Sequence, residues 1–538
     1  MKPRILVLAV ALLCLLALPS VALAENEPGG KIDPSVVTVL EATGGTVAIP
    51  VMVNAPGALD RVTATIPLGV DITQLPLVDS VAAFLTPAEI AALGKAAFVT
   101  TIVADNAVHG FDYRSTMDVT NLTIGLADVP AATDGSRPAG AGVTVAVLDS
   151  GVATNTDLAA SRIVGWKDFV NDQPTPYDDA GHGTFVAGLI AGDGTASLPL
   201  ENGGSATVQF RGVAPAADIV GVKVLDEVGQ GRASTVIAGI AWAIVHKSDY
   251  NIRVLNISIG ANPVGPLNHD PIAMAVEAAW KSGITVVCAA GNEGDFGAGS
   301  ILSPGNSPYV ITVGATDTQQ TAAVGDDRVA FYSSVGPTLF DEVAKPDLVA
   351  PGNRLISLRA QGSYLDSNFA ETIVPRADGT ASDYVKLSGT SASAPLVAGA
   401  AALMIGVDPS LSPGDVKVRL MGTADPVAKA GTGQQGAGTL DVDGALAATT
   451  RANGWALSAF LGDGKKAFKD NDYKKWEKKV WGKYGWTKFR WAKFRWAKFN
   501  AEKFRWAEVS WTKFRWAKFR WAEYDWTKFR WAILLQGQ

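Results

Sequence analysis

Ser391 stands in "KLSGTSASAPLVAGAAALM" (386–404), between a Gly-Thr pair and a long run of small and apolar residues. The run reads as a buried helix with Ser391 at its N-terminus. A serine there can cap the helix, because its hydroxyl satisfies an orphan N–H. It can also be a nucleophile, since backbone N–H groups and the helix dipole stabilise negative charge on a bound oxygen at that place. A serine hydroxyl attacks only when a base takes its proton, and the side chain that is a neutral base near pH 7 is histidine. His182 opens the helical run "HGTFVAGLIAG". A carboxylate must hold the imidazole in one tautomer, and Asp149 closes the apolar run "VTVAVLDSG". An amide can donate to the developing oxyanion, and Asn292 closes "ITVVCAAGN". Taken singly, each is an ordinary turn or cap residue. Together they supply a nucleophile, a base, an orienting acid and an oxyanion donor.

The elements that must position these residues alternate from about residue 115 to 450. Apolar strands ("GVTVAVLDSG", "ADIVGVKVLD", "IRVLNISIG", "ITVVCAAGN", "YVITVGAT") are separated by helical runs such as "ASTVIAGIAWAIVHK" and "DPIAMAVEAAWKSG". Continuous apolar strands between helices predict an α/β fold, a doubly wound, mostly parallel sheet covered on both faces. Such sheets gather their chemistry at the carboxyl ends of the strands, where all four residues fall.

The chain has 538 residues, 48% of them hydrophobic, enough for several domains. Residues 1–24 have a basic start (Lys2, Arg4), an apolar run from Ile5 to Leu18 and the small-residue pattern Ala22-Leu23-Ala24. That is the pattern of a secretory signal cut before Glu25, and fourteen apolar residues fall short of the roughly 20 a membrane span needs. Residues 25–110 read as a small α+β domain. "GTVAIPVMVNA" is a strand, and "LTPAEIAALGKAAFVTTIVADNAVH" is a helix capped by Thr86 and followed by strand. Of the two cysteines, Cys14 leaves with the signal and Cys288 lies alone in a strand, so no internal disulfide forms. Four histidines and no cysteine pairs argue against a metal site built on His or Cys.

Residues 451–538 differ in kind. From Lys465 onward there are 21 Lys/Arg against 7 Asp/Glu, in a chain of net charge −6 overall. A Trp recurs every five residues from Trp476 to Trp531, except at Ala501, in units such as "WAKFR". A five-residue period scatters positions around an α-helix. It also swaps faces on a long strand, so short bent strands in a β array are expected. A ladder of Trp with Lys/Arg suits adhesion to an anionic cell surface. Secretion makes nucleic acid an unexpected partner.

"VAVLDSGV", "GHGTFVAGLIAG", "NISIG", "AAGNEG", "KPDLVAPG" and "GTSASAP" resemble the signatures of the subtilisin-like serine proteases, in that family's order Asp, His, Asn, Ser. The order separates the chain from the α/β-hydrolases, which run Ser, Asp, His and use a G-x-S-x-G elbow. The resemblance implies a secreted serine endopeptidase acting through an acyl-enzyme, in which Asp149 orients, His182 is base and acid, Ser391 is the nucleophile, and Asn292 with the Ser391 N–H forms the oxyanion hole. It implies that Ser258-Ile259-Gly260 and Gly229-Gln230-Gly231 are edges that pair with an extended protein or peptide substrate, and that Ala289-Ala290-Gly291 line the pocket beside the cut, with Glu293 next to it. It implies that residues 25–110 are an inhibitory, ferredoxin-like propeptide removed autocatalytically near residues 107–120. The chemistry needs no cofactor, while Asp157 in "NTDL" matches a position that ligates structural calcium in many members. Ala392 stands where the family usually has Met. The alternative is a surface-binding protein whose repeat tail is the main function and whose protease domain is cargo.

Overall fold

In the computed structural model, residues 31–42, 47–105, 107–110, 123–124, 138–197, 210–375 and 381–461 are described. The expected signal segment, and the expected Trp-rich tail from residue 462 onward, lie outside them.

The N-terminal region begins with helix α1 (Pro34–Ala42). Strand β1 (Ile49–Asn54), helix α2 (Leu59–Thr65), strands β2 (Ile72–Leu75) and β3 (Ser80–Leu85), helix α3 (Pro87–Lys95) and strand β4 (Thr101–Ala104) follow. The strands make an antiparallel sheet in the order β2-β3-β1-β4, the split βαβ pattern of ferredoxin-like domains. The cap expected at Thr86 is present, and it is a capping box: the Thr86 side chain accepts from the Glu89 N–H, while the Glu89 carboxylate accepts from the Thr86 N–H. Strand alternation sends Val51, Val53, Val81 and Ala83 into this region's own core with Ile90 and Leu93. The opposite face, with Met52, Ala82 and Val103, joins the core of the main body.

Past β4, strand β5 (Ala107–Gly110) leaves this sheet and enters the main body, described below.

The body is an eight-stranded sheet. Its strands are β6 (Thr144–Asp149), β7 (Ile163–Asp168), β8 (Asp218–Lys223), β10 (Ile252–Ile257), β12 (Thr285–Ala289), β13 (Ile311–Asp317), β14 (Arg328–Val329) and β15 (Leu348–Pro351). The order is β14-β13-β12-β10-β6-β8-β7, with β15 also paired to β13, and every pairing but β13–β14 is parallel. The expected doubly wound, mostly parallel fold is therefore found. Every residue of β6 and of β12 is buried, which is why these strands read as unbroken apolar runs. Helix α4 (His182–Ala191) packs against β6. Helices α5 (Ala233–Val245) and α6 (Pro271–Lys281) pack on each other, and on them rests the N-terminal sheet. Helix α7 (Thr390–Val407) is buried from Thr390 to Ile405. It is the one helix among the described residues long and apolar enough to cross a membrane, yet 89% of it lies inside the body.

A buried ionic cluster closes the base of the sheet. Asp347 accepts from Lys345 Nζ (2.7 Å) and the Ser458 hydroxyl (2.6 Å), and lies 3.3 Å from Lys417 Nζ. All three charged side chains are fully buried. Lys417 also donates to the carbonyls of Pro308 and Val310. Burial pushes the Lys417 ammonium down to about 7, while Asp347 is held below the usual carboxylate range by its two lysines against the cost of its own burial. Ser458 belongs to a segment that composition assigns to the tail. Trp455 to Leu461 instead packs into the body, through Ala344 N–H to Ala459 O and Leu461 N–H to Glu342 O.

Asp347→Asn leaves two lysines enclosed without their counter-charge. Removing one partner of a buried ionic set costs about 3–5 kcal/mol. Chemical denaturation of the Ser391→Ala chain with and without Asp347→Asn measures it, and a change under about 1 kcal/mol would show that the lysines are satisfied by carbonyls alone.

Candidate active site

Asp149 is the last residue of β6 and is fully buried. His182 is the first residue of α4, which follows Gly181. Gly181 holds φ +100°, a conformation that a side-chain-bearing residue adopts only at a cost. These two ends meet: His182 Nδ1 and Asp149 Oδ1 are 2.6 Å apart. Burial pushes the His182 imidazole down to about 3, so the ring is neutral near pH 7. Burial also pushes the Asp149 carboxyl well above its ordinary range, opposed by the Ser150 N–H bond and the charge of Lys223.

Ser391 lies in the first turn of α7, buried. Its N–H belongs to the set that no helix carbonyl can satisfy. Pro395, four residues on, has no N–H to give to the Ser391 carbonyl. The Ser258 hydroxyl donates to that carbonyl instead, at 3.0 Å. Asn292, just beyond β12, accepts at Oδ1 from both the Thr390 N–H and the Thr390 hydroxyl, each at 2.9 Å. That fixes the amide's orientation and turns Nδ2 toward the nucleophile. A Cβ built on Gly389 would stand 3.0 Å from Ser391 Oγ and 3.1 Å from Asn292 Nδ2, so the two atoms converge on one spot that glycine keeps open. Among the described residues, Ser391 Oγ and Asn292 Nδ2 are enclosed with no hydrogen-bond partner, the state expected of groups whose partner is a substrate. The four residues found by spacing thus form two pairs, His182 with Asp149 and Ser391 with Asn292, on helices α4 and α7 that pack on each other or at the strand ends beside them.

The expected substrate edges are also here. Strand β9 (Gln230–Arg232) and strand β11 (Ile259–Gly260) flank β5 in a three-stranded antiparallel sheet. Gly231 pairs with Val108, Gly260 with His109 and Ile259 with Gly110. Gly229 forms the turn leading into β9, at φ +75°. Ala289, Ala290 and Gly291 are buried at the end of β12, where Gly291 N–H donates to the Thr390 hydroxyl (3.2 Å). Glu293 is partly buried, and burial with the nearby charge of Asp295 pushes its carboxyl up. Cys288 is buried and burial pushes its thiol up, so it serves packing rather than reactivity.

Calcium at Asp157 does not fit its surroundings. Asp157 is enclosed, and its two carboxylate oxygens already accept from the Ala196 N–H (2.6 Å) and from the Tyr384 hydroxyl. Among the described residues no three His, Cys, Asp or Glu gather as metal ligands. These two hydrogen bonds tie Asp157 to the turn at Ala196 and to the strand that carries Tyr384.

Spacing did not single out Thr390, the Ser258 hydroxyl's bond to Ser391, or Lys223. The last is a fully buried ammonium at the end of β8, opposite Asp149. It donates to Ser150 O (2.6 Å), Leu225 O (2.8 Å) and Asp179 Oδ1 (2.5 Å).

The subtilase family model matches residues 140–455. The chain belongs to the subtilase family. It is 39% identical over 318 residues to the serine protease AprX of Bacillus subtilis (strain 168), covering 58% of this chain and 68% of that one. It is 34% identical over 287 residues to subtilisin DY of Bacillus licheniformis, covering 53% and 84%. Among solved structures, fervidolysin from Fervidobacterium pennivorans aligns over 75% of this chain and 62% of its own, with TM-score 0.56 and 21% identity, which speaks to fold. This subtilase is a subtilisin-like serine endopeptidase, and its substrates are proteins.

Hydrolysis is expected to fall on the acid side as the imidazole takes up a proton. Burial holds the His182 imidazole down, so the limb lies at or below its ordinary value of about 6.5. A limb centred above pH 8, in initial rates on a small peptide substrate, would mean that another group limits the reaction.

Proposed function

We propose that this subtilase is secreted, is made as a self-processing zymogen, and cuts peptide bonds through Ser391, His182, Asp149 and Asn292. The observation that carries the catalytic assignment is the buried 2.6 Å contact of His182 with Asp149, supported by a serine hydroxyl and an amide that converge on one spot with no partner of their own. His182 takes the Ser391 proton at Nε2 as Oγ attacks the carbonyl carbon. Asp149 stabilises the imidazolium that results. The carbonyl oxygen, now negative, takes hydrogen bonds from Asn292 Nδ2 and the Ser391 N–H. His182 then protonates the leaving amine, and water repeats the sequence on the acyl-enzyme.

The zymogen reading is supported by β5. The chain's own backbone lies between β9 and β11, antiparallel to both, as an extended substrate does in β-augmentation. Asp105, just before it, caps α5 from outside: its carboxylate accepts from the Ser234 N–H (2.8 Å) and the Ser234 hydroxyl. Arg232 stacks on Phe84, 4.7 Å from the ring centroid. The domain therefore holds the cleft by side chains as well as by backbone. Secretion is supported by the basic-apolar-small order of residues 1–24.

Ser391→Ala is expected to accumulate unprocessed, beginning at Glu25, while the wild type is cut between Gly110 and about residue 120, as N-terminal sequencing reads. Spontaneous processing of purified Ser391→Ala would sink the self-cleavage reading. Asn292→Ala should lower kcat by about 10²–10³ with little change in KM, because its bond forms in the transition state.

The basic Trp ladder is proposed as an anchor to an anionic cell envelope. Deleting residues 465–538 should leave hydrolysis of a soluble peptide intact and abolish salt-sensitive retention on envelopes. Retention equal to that of the full chain would reject the anchor.

A further inference from the structure

We infer that Asp178 is a positioning residue for the Asp149–His182 pair, the single carboxylate that sets both the relative placement of the two side chains and the charge around them. This rests on the assignment of that pair to catalysis above.

Helix α4 has no side-chain cap of its own, since Gly181 has nothing to offer. Asp178 supplies the cap from the loop. Its Oδ1 accepts from the Gly181 N–H (2.8 Å), and its Oδ2 accepts from the Thr184 N–H (2.8 Å) and the Thr184 hydroxyl (2.7 Å). The residues on both sides of His182 are thereby held by one group. The fourth bond reaches the other partner: the Ser150 hydroxyl donates to Asp178 Oδ1 at 2.9 Å. Ser150 follows Asp149, gives its N–H to Asp149 Oδ1 (2.8 Å) and takes the Gly183 N–H on its own Oγ (3.0 Å). A backbone bridge between Gly151 and Asp178 runs beside these contacts. The end of β6 and the start of α4 are separate parts of the chain, and Asp178 is bonded to both.

The group is 6% exposed and carries four donors, the complement an ionised carboxylate accepts. Ser150, bonded to both carboxylates, is what stands between Asp178 and Asp149. The charged groups that face this pocket are Asp149 on β6, His182 on α4, Lys223 on β8 and Asp179 beside Asp178, which is ion-paired to Lys223. Lys223 and Asp179 offset each other, so Asp178 adds to Asp149 in favouring the imidazolium that forms when Ser391 is deprotonated. A carboxylate that only capped a helix would be replaceable at no cost to this proton.

The test compares the processed wild type with Asp178→Asn and Ser150→Ala on a small peptide substrate from pH 4 to 10, a trace of wild type cutting any precursor that does not process itself. Asp178→Asn is expected to lower kcat about tenfold at little change in KM, and to move the acid limb down by about one pH unit, as removal of a nearby buried negative charge does. Ser150→Ala keeps the charge and loses the link, so kcat falls while the limb stays. An unmoved limb in a folded Asp178→Asn enzyme, or an unchanged kcat in Ser150→Ala, overturns the inference. Ser391→Ala and His182→Ala run alongside: full activity in either would overturn the catalytic assignment itself, a separate outcome. Should Asp178→Asn fail to fold, as thermal melting reports, Ser150→Ala still decides.

Discussion

A hydrogen bond between an imidazole and a carboxylate, made where water does not reach, is what the rest of this molecule has to support. In water the bond is cheap and unspecific. Inside the protein its two partners would each become neutral, because burial penalises both charges. The surroundings therefore supply what water would have supplied: the Ser150 N–H on one oxygen of Asp149, an ammonium at the end of the next strand, and a capped helix end on the far side. Each has a geometric reason to lie where the parallel strands stop, since that is where β6 and β8 release their chains side by side.

The same economy recurs at the opposite rim of the sheet. Lys345, Asp347 and Lys417 are all enclosed, and the carbonyls of residues 308–310 complete the coordination of the two ammonium groups. Buried charge of this kind adds little net stability, but it tolerates only one arrangement of the segments that meet on it. Here those are β13's approach, β15's approach and the stretch through Ser458, which compositional reading had placed in the appendage.

Much of the site was legible because it is local. Asp149, His182, Asn292 and Ser391 each sit at the border between an apolar strand or helix and a glycine-containing turn, and such borders show in a sequence as changes of period. The N-terminal α+β region was legible for the same reason, through the helix start at Thr86 between apolar strand runs. What escaped is what depends on partners far along the chain. "YDDAGHGT" holds two adjacent aspartates, and nothing local says that Asp178 turns inward while Asp179 reaches for Lys223. Asp157 matches a metal-ligating position by resemblance, and its bond to the Tyr384 hydroxyl, 227 positions away, has no local sign. The bond from Ser258 to the Ser391 carbonyl follows from Pro395, but only once the link between β10 and β11 that carries Ser258 is known to run past the helix.

Strand β5 has a last consequence. Its two neighbours, β9 and β11, pair with it and not with each other, so the groove is a sheet missing its middle strand whenever that strand departs. The backbone groups left bare on either side are the same in every polypeptide, and they accept any extended chain that brings its own. An enzyme built this way is sticky by default and selective only through side chains. The loops and termini of other copies of this chain bring the same backbone groups, so such a groove accepts them as readily as any other extended chain. The order of events after synthesis, and how crowded the neighbourhood is, then govern how long a population of it lasts.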